Sequence, residues 1–283
     1  MIKYNKPPDA SENDATAAAP ADAEATSAKN FANLKKKVLQ DHERLGLDST
    51  FHFGCHPGVP CFNDCCSDVN IFLTPYDVIR VKNRLKITSA EFLSKYTVMP
   101  MHEKQKYPVI MLKMTEDEHK RCHFVDPEKG CTVYQDRPWA CRMFPVGKAS
   151  PEEGSSDEPF YFLMNEDVCH GWDETSEWTV RQWMDDQNVA RWDEEGEKYK
   201  AITLHPYLRE NDLTPEQMEM FYMVCFDSER FRRFVFESSL LQRIALDDKT
   251  VRKMRTSDAV LLDFGYKWLR FSLFREPVLQ VKR

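Results

Sequence analysis

The residues best equipped for chemistry in this chain are its cysteines, eight of whose nine members lie between Cys55 and Cys169. An opening cluster, Cys55, Cys61, Cys65 and Cys66, has five and three residues between its first three members and ends in an adjacent pair. A second set follows as Cys122, Cys131, Cys141 and Cys169. Thiolates gathered in one loop suit a soft cation or an iron–sulfur cluster, because each further ligand from the same loop adds little ordering entropy. The second set must then come in from elsewhere in the fold, with the sulfurs brought within a few ångströms of one or two common points. Disulfides are the competing use of so many cysteines, and two features oppose them. Residues 1–30 contain no apolar run able to serve as a signal-peptide core, which makes a cytoplasmic location the expectation, and the cysteine total is odd.

The spacing narrows the kind of centre. Structural zinc is most often held by paired hooks of two cysteines with two to four residues between them, and only Cys61 and Cys65 fit that pattern. Adjacent side chains such as Cys65 and Cys66 diverge from the backbone, which is awkward for one small ion. A larger cluster, or two centres sharing the loop, accommodates the pair better. The cysteine pattern of radical S-adenosylmethionine enzymes is absent, since Asp68 stands where its third cysteine would fall. No glycine-rich dinucleotide loop or phosphate-binding loop is present either.

These ligands need elements to position them. Residues 1–30, rich in Ala, Asp, Glu, Ser and Thr, read as a disordered tail. Phe31, Leu34, Val38 and Leu45 at helical spacing, with Gly46 as a stop, predict a leading helix over 31–49. The metal-binding domain is expected over 50–172, in short elements. Asn70 to Leu73 and Val109 to Met114 read as strands, and helices start at Thr74-Pro75 and at Thr88 with capping-box spacing to Glu91. His123 to Val125 and Thr132 to Tyr134 flank a turn and suggest a hairpin. Over 173–283 the pattern is helical. Thr179 and Thr214 begin capping boxes, with Trp178/Trp183 and Leu213/Met218 as hydrophobic staples. Phe231, Phe234 and Val235, then Val260, Phe264, Trp268 and Phe271, form stripes best read as helix-packing faces. The fold class expected is mainly α, with a small irregular α+β cysteine-rich unit packed on a helical C-terminal region.

The segment from Cys55 to Gly147 resembles the YkgJ family of zinc- or iron-chelating cysteine-cluster proteins, related in motif to flagellin lysine-N-methylase. The likeness rests on the Cys65-Cys66 pair, on Ile71 to Pro75 with Asp77, and above all on Cys122 followed by the run from Cys131 to Pro145. That run carries Tyr134, Arg137-Pro138, Cys141-Arg142 and Phe144-Pro145 in the family's order. A third block appears as Cys169-His170-Gly171, with His170 in place of the usual proline, and the opening spacing is looser than the family's compact cluster. The resemblance implies a metal centre with Cys55, Cys61, Cys65, Cys66, Cys122, Cys131, Cys141 and Cys169 as ligands. Arg137 and Arg142 flank Cys141, where they would offset the negative charge of a thiolate-bound cluster or form surface salt bridges. His56, His123 and His170 each follow a cysteine, a placement that usually turns the next side chain away from a shared site. Cys225, in the helical part, reads as a buried apolar residue.

Two classes of function fit. One is a metal-binding protein, with iron–sulfur preferred and zinc the alternative, in a redox or accessory role and with a protein partner docked on the helical region. The other is a protein lysine N-methyltransferase, implied by the resemblance alone. A net charge of −7 gives no support to nucleic-acid binding, and no apolar run approaches the length of a membrane span.

Overall fold

The computed structural model describes residues 43–100, 105–149, 159–164 and 168–282. In chain order, its first part contains β1 (Thr50–His52), β2 (Phe72–Leu73), α1 (Pro75–Leu85), α2 (Ser89–Tyr96), β3 (Thr97–Val98) and β4 (Ile110–Leu112). Next come β5 (Val125–Asp126), β6 (Gly130–Cys131), α3 (Trp139–Met143), β7 (Val146–Ala149), β8 (Phe160–Leu163) and β9 (Glu177–Thr179). The remainder is helical: α4 (Val180–Asp186), α5 (Val189–Thr203), α6 (Pro206–Glu210), α7 (Pro215–Phe226), α8 (Ser228–Glu237), α9 (Leu240–Arg243), α10 (Asp248–Met254) and α11 (Asp258–Ser272). The protein is mainly α with small sheets, as the sequence pattern predicts. No helix among the described residues is long and apolar enough to cross a membrane.

The chain divides into two compact units. One takes residues up to Gly54 together with Phe144–Trp183; the other takes Cys55–Met143 and Met184 onward. In the first unit, β1 pairs antiparallel with β9, and β7 with β8. Its core is aromatic: the Phe53 ring sits edge-on to Phe144, Trp172 and Trp183 at 5.8, 5.1 and 5.5 Å. The predicted box at Thr179 forms, with Thr179 N–H donating to Gln182 Oε1 and Gln182 N–H to Thr179 Oγ1. Its staple closes too, with the Trp178 and Trp183 rings 5.4 Å apart. The tail and residues 31–42 of the expected leading helix lie outside the described residues. The part of that helix that is described, 43–49, is not helical. Leu45 bridges to Tyr161 in extended pairing, and Ser49 N–H closes a turn on the Gly46 carbonyl. Sheet pairing here overrides the apolar spacing that suggested a helix.

The second unit holds most of the cysteines and all the helices after Trp183. Its three-stranded sheet runs β2-β4-β3, turning Leu73, Ile110 and Leu112 inward. Thr74, Thr88 and Thr214 each cap their helices by complete capping boxes. The aromatic stripes pack helix against helix, with the Phe231 ring 6.2 Å from Phe264 and Phe234 6.1 Å from Trp268. That is the packing role expected of them.

A buried ion network joins the short elements to these helices. Lys82, almost wholly buried on α1, reaches Glu229 Oε1 at 2.7 Å and Asp258 Oδ2 at 2.9 Å, while Ser89 N–H donates to Glu229 Oε2. Burial alone would raise the Glu229 pKa, but Lys82 and Ser89 outweigh it and hold it down to about 2. An unfolded glutamate titrates near ~4.3. A depressed folded pKa contributes stability that is fully present above the unfolded value and is lost as pH falls through the folded one. Urea midpoints should therefore fall as pH drops from about 4.5 toward 2, and Glu229→Gln should flatten that part of the profile. An unchanged slope in the variant would mean that other carboxylates govern the acid limb.

Candidate metal centre

The opening cysteine loop of the second unit is a chain of tight turns. Val59 N–H bonds to the His56 carbonyl, Phe62 to Val59, Asp64 to Cys61 and Cys66 to Asn63. Asn63 takes a left-handed φ of 72°, a conformation its short polar side chain tolerates, and a single 3-10 turn, Asp64–Cys66, follows. From there residues 66–68 pair with 120–122. Cys122 N–H donates to the Cys66 carbonyl at 2.9 Å, Ser67 bridges Arg121, and Asp68 N–H bonds to the Lys120 carbonyl. Backbone pairing thus sets Cys66 beside Cys122, although 55 residues separate them in sequence.

Cys131 arrives by a hairpin. The strands are shorter than the sequence suggests, β5 and β6 only, with Cys131 inside the second strand opposite Val125 and Thr132 to Tyr134 beyond it. The cause is the turn. Asp126 Oδ1 accepts from the N–H groups of both Glu128 and Lys129, and Gly130 returns the chain at φ +79°. Phe62 and Asn63 from the opening loop lock onto this turn. Asn63 Nδ2 donates to the carbonyls of Asp126 and Pro127, and a Cβ on Gly130 would lie 2.9 Å from Phe62 Cζ. Gly130→Ala combines an unfavourable φ with that contact and should cost about 1–3 kcal/mol in equilibrium denaturation. A cost within error of zero would mean the hairpin turn is free to rearrange.

Cys141 sits on α3, and a residue far away in sequence sets that helix. Asp77, fully buried on α1, accepts from Thr74 N–H and Thr74 Oγ1–H through Oδ2, and from Trp139 N–H, the first of α3, through Oδ1. One carboxylate therefore caps two helices. Burial raises its pKa, and the Thr74 and Trp139 donors oppose the shift.

The thiols feel one another. The Cys66 pKa is driven upward by its hydrogen bond with Cys65 and by burial, and further by the charges of Cys65, Cys141 and Cys122. Burial pushes Cys122 up to about 11, with Cys131 adding to it. Cys141 is raised by burial, then by Cys122, Cys131 and Asp77, while Arg137 pulls the other way. Burial likewise raises Cys131, against the Val133 N–H and Arg137. Cys65, Cys66, Cys122, Cys131 and Cys141, from three stretches of sequence, thus share one electrostatic neighbourhood.

Three further cysteines are among the expected ligands. Cys61 is one turn before Cys65 in the same loop, Cys55 is exposed, and Cys169 belongs to the first unit, at the start of its His170–Asp173 turn. Among the described residues, no three His, Cys, Asp or Glu side chains are arranged to hold a metal ion as they stand. The backbones of Cys66, Cys122, Cys131 and Cys141 are fixed separately, by the pairing at 66 and 122, the hairpin and α3. Cys225 is buried, as expected.

Among the described residues, neither arginine makes a surface salt bridge. Arg137, nearly buried, stacks on the Tyr134 ring at 3.7 Å and donates to the Tyr134 carbonyl and to Gln187 Oε1. Burial lowers its pKa, while the charges of Tyr134, Cys131 and Cys141 counter. Arg142 lies flat on Trp192 at 3.7 Å and donates to the carbonyls of Gln187 and Gln135. It braces α3, whereas Arg137 is the guanidinium that faces the thiols. Gln187 and Trp192 were invisible to sequence reasoning, since nothing in their spacing marks them as partners of residues some 50 positions away. His56 Nδ1 accepts from Gly58 N–H, and His170 Nδ1 meets Asp173 Oδ2 at 3.1 Å, so both rings have partners within their own turns.

The donor set fits a thiophilic centre. Five clustered thiols and one cation, without a carboxylate among the donors, are what a soft metal or an iron–sulfur cluster takes, and Arg137 lies where thiolate charge would build. No curated protein and no solved structure matches the chain. Residues 54–170 do match the model of the family described as "CxxCxxCC: Putative zinc- or iron-chelating domain", so this segment is similar to a chelating cysteine-cluster domain.

Proposed function

We propose that the protein binds an iron–sulfur cluster through thiolates drawn from Cys65, Cys66, Cys122, Cys131 and Cys141, in a redox or accessory role. The observation that carries this reading is the delivery of five cysteines by a loop backbone-paired to Cys122, a hairpin and a helix within one chelating-domain segment. When bound, such a cluster supplies one-electron redox chemistry and cross-links the stretches that ligate it. The chain's own part is to hold the donors in place. Backbone pairing sets Cys66 against Cys122, Asp77 fixes the helix that carries Cys141, and Arg137 offsets charge on Cys131 and Cys141.

Iron–sulfur is favoured over zinc because five thiols including an adjacent pair exceed what one tetrahedral zinc uses. Cys61, Cys55 and Cys169 are the further candidate ligands. Arg142 enters as a brace rather than as a direct contact. The lysine methyltransferase alternative gains no support from the family match and rests on the resemblance alone. Tight binding of S-adenosylmethionine in equilibrium dialysis would revive it.

Protein purified anaerobically should be brown and contain iron and acid-labile sulfide. Stoichiometric zinc with neither would overturn the cluster assignment in favour of a structural zinc centre.

A further inference from the structure

A cavity of about 520 Å³ opens in the second unit between α1 and the start of α11, with no cysteine in its lining. Its size is that of a small-molecule site. On its walls the carboxylates are already satisfied. Asp136 pairs with Arg80, and Asp258 gives one oxygen to Arg232 and the other to Lys82 and Asn83.

Three donors are open to a ligand. Arg84, exposed on the cavity wall, makes no hydrogen bond or ion pair among the described residues, and neither does the Thr256 hydroxyl. Arg80 is committed to Asp136, and its Nε–H is buried. Ser257 Oγ accepts from Val260 N–H, which leaves its own O–H free to donate. The cavity thus offers the Arg84 guanidinium and two hydroxyls, with both neighbouring acids neutralised. Tyr76 and Ile79 give it an apolar floor.

We propose that this cavity binds a small molecule bearing a phosphate group, held by Arg84 with Thr256 and Ser257. A phosphate has acceptors on every side and matches a guanidinium through two parallel bonds. The floor of Tyr76 and Ile79 suits a flat organic body attached to it. The site does not depend on the metal reading, because none of its residues is a proposed ligand.

The test is calorimetric titration of the full chain with inorganic phosphate, AMP and adenosine. Saturable binding of phosphate, tighter binding of AMP and none of adenosine are expected. Losing a charge-assisted bidentate contact should weaken AMP binding about tenfold or more in Arg84→Gln. Thr256→Val should weaken it less, and Arg233→Gln, a surface change elsewhere, should leave it unaltered. Arg84 is exposed, so its variant should fold, and far-UV circular dichroism checks this. Absence of saturable binding by both phosphate and AMP would overturn the proposal, as would wild-type affinity in both Arg84→Gln and Thr256→Val.

Discussion

Cys141→Ser is expected to lose most of the bound metal and to lower the melting temperature by about 10 °C. Cys141 shares its electrostatic surroundings with Cys66, Cys122 and Cys131, so its loss opens the centre where the helix meets the loop and the hairpin. Metal binding to the folded state alone adds directly to stability. Structural zinc in small peptides is worth roughly 10–16 kcal/mol, and even a fraction of that, at roughly 2–4 °C per kcal/mol in a chain this size, gives the shift stated. Cys66→Ser should behave alike. Cys225→Ala is the control: it removes a buried sulfur that is not a proposed ligand, so it should cost about 1 kcal/mol and leave the metal content intact. Equal metal loss in the Cys225 variant would show that general destabilisation, not ligation, empties the centre.

Asp77→Leu is expected to destabilise the protein by about 3–5 kcal/mol and to reduce metal occupancy with it. The substitution removes the acceptor for Thr74 N–H and Trp139 N–H in a fully buried position, leaving both donors unmet, and it frees the helix bearing Cys141. Asp77→Asn keeps the shape and a carbonyl oxygen, so it should cost less than half as much. Guanidinium denaturation paired with metal analysis separates the cases. Full metal content in a clearly destabilised Asp77→Leu protein would mean that α3 holds Cys141 in place unaided.

Much of this arrangement was legible in the sequence because it is local. Capping boxes at Thr88, Thr179 and Thr214 are fixed by residues three apart, and all three form, as does the cap at Thr74. The aromatic stripes at Phe231 and Phe264 are periodic, and the rings do meet. The cysteine neighbourhood was legible as a list of donors but not as a geometry. That Cys66 lies against Cys122 depends on a backbone hydrogen bond across 56 positions, and that α3 is capped by Asp77 depends on one across 62. The roles of the two arginines were equally hidden. Arg137 and Arg142 are close in sequence and similar in chemistry, yet one faces the thiols and the other lies on Trp192. Leu45 misled for the opposite reason, since its helical spacing from Val38 carried no information about Tyr161, the strand residue it bridges.

The central claim, that these thiols converge on a cluster, is tested most directly by X-ray absorption at the metal edge of anaerobically purified protein. The expected spectrum is that of iron in an all-sulfur first shell, with a second shell from neighbouring iron, both lost in Cys66→Ser and Cys141→Ser. A first shell of nitrogen or oxygen donors, or a spectrum unchanged in both variants, would contradict it.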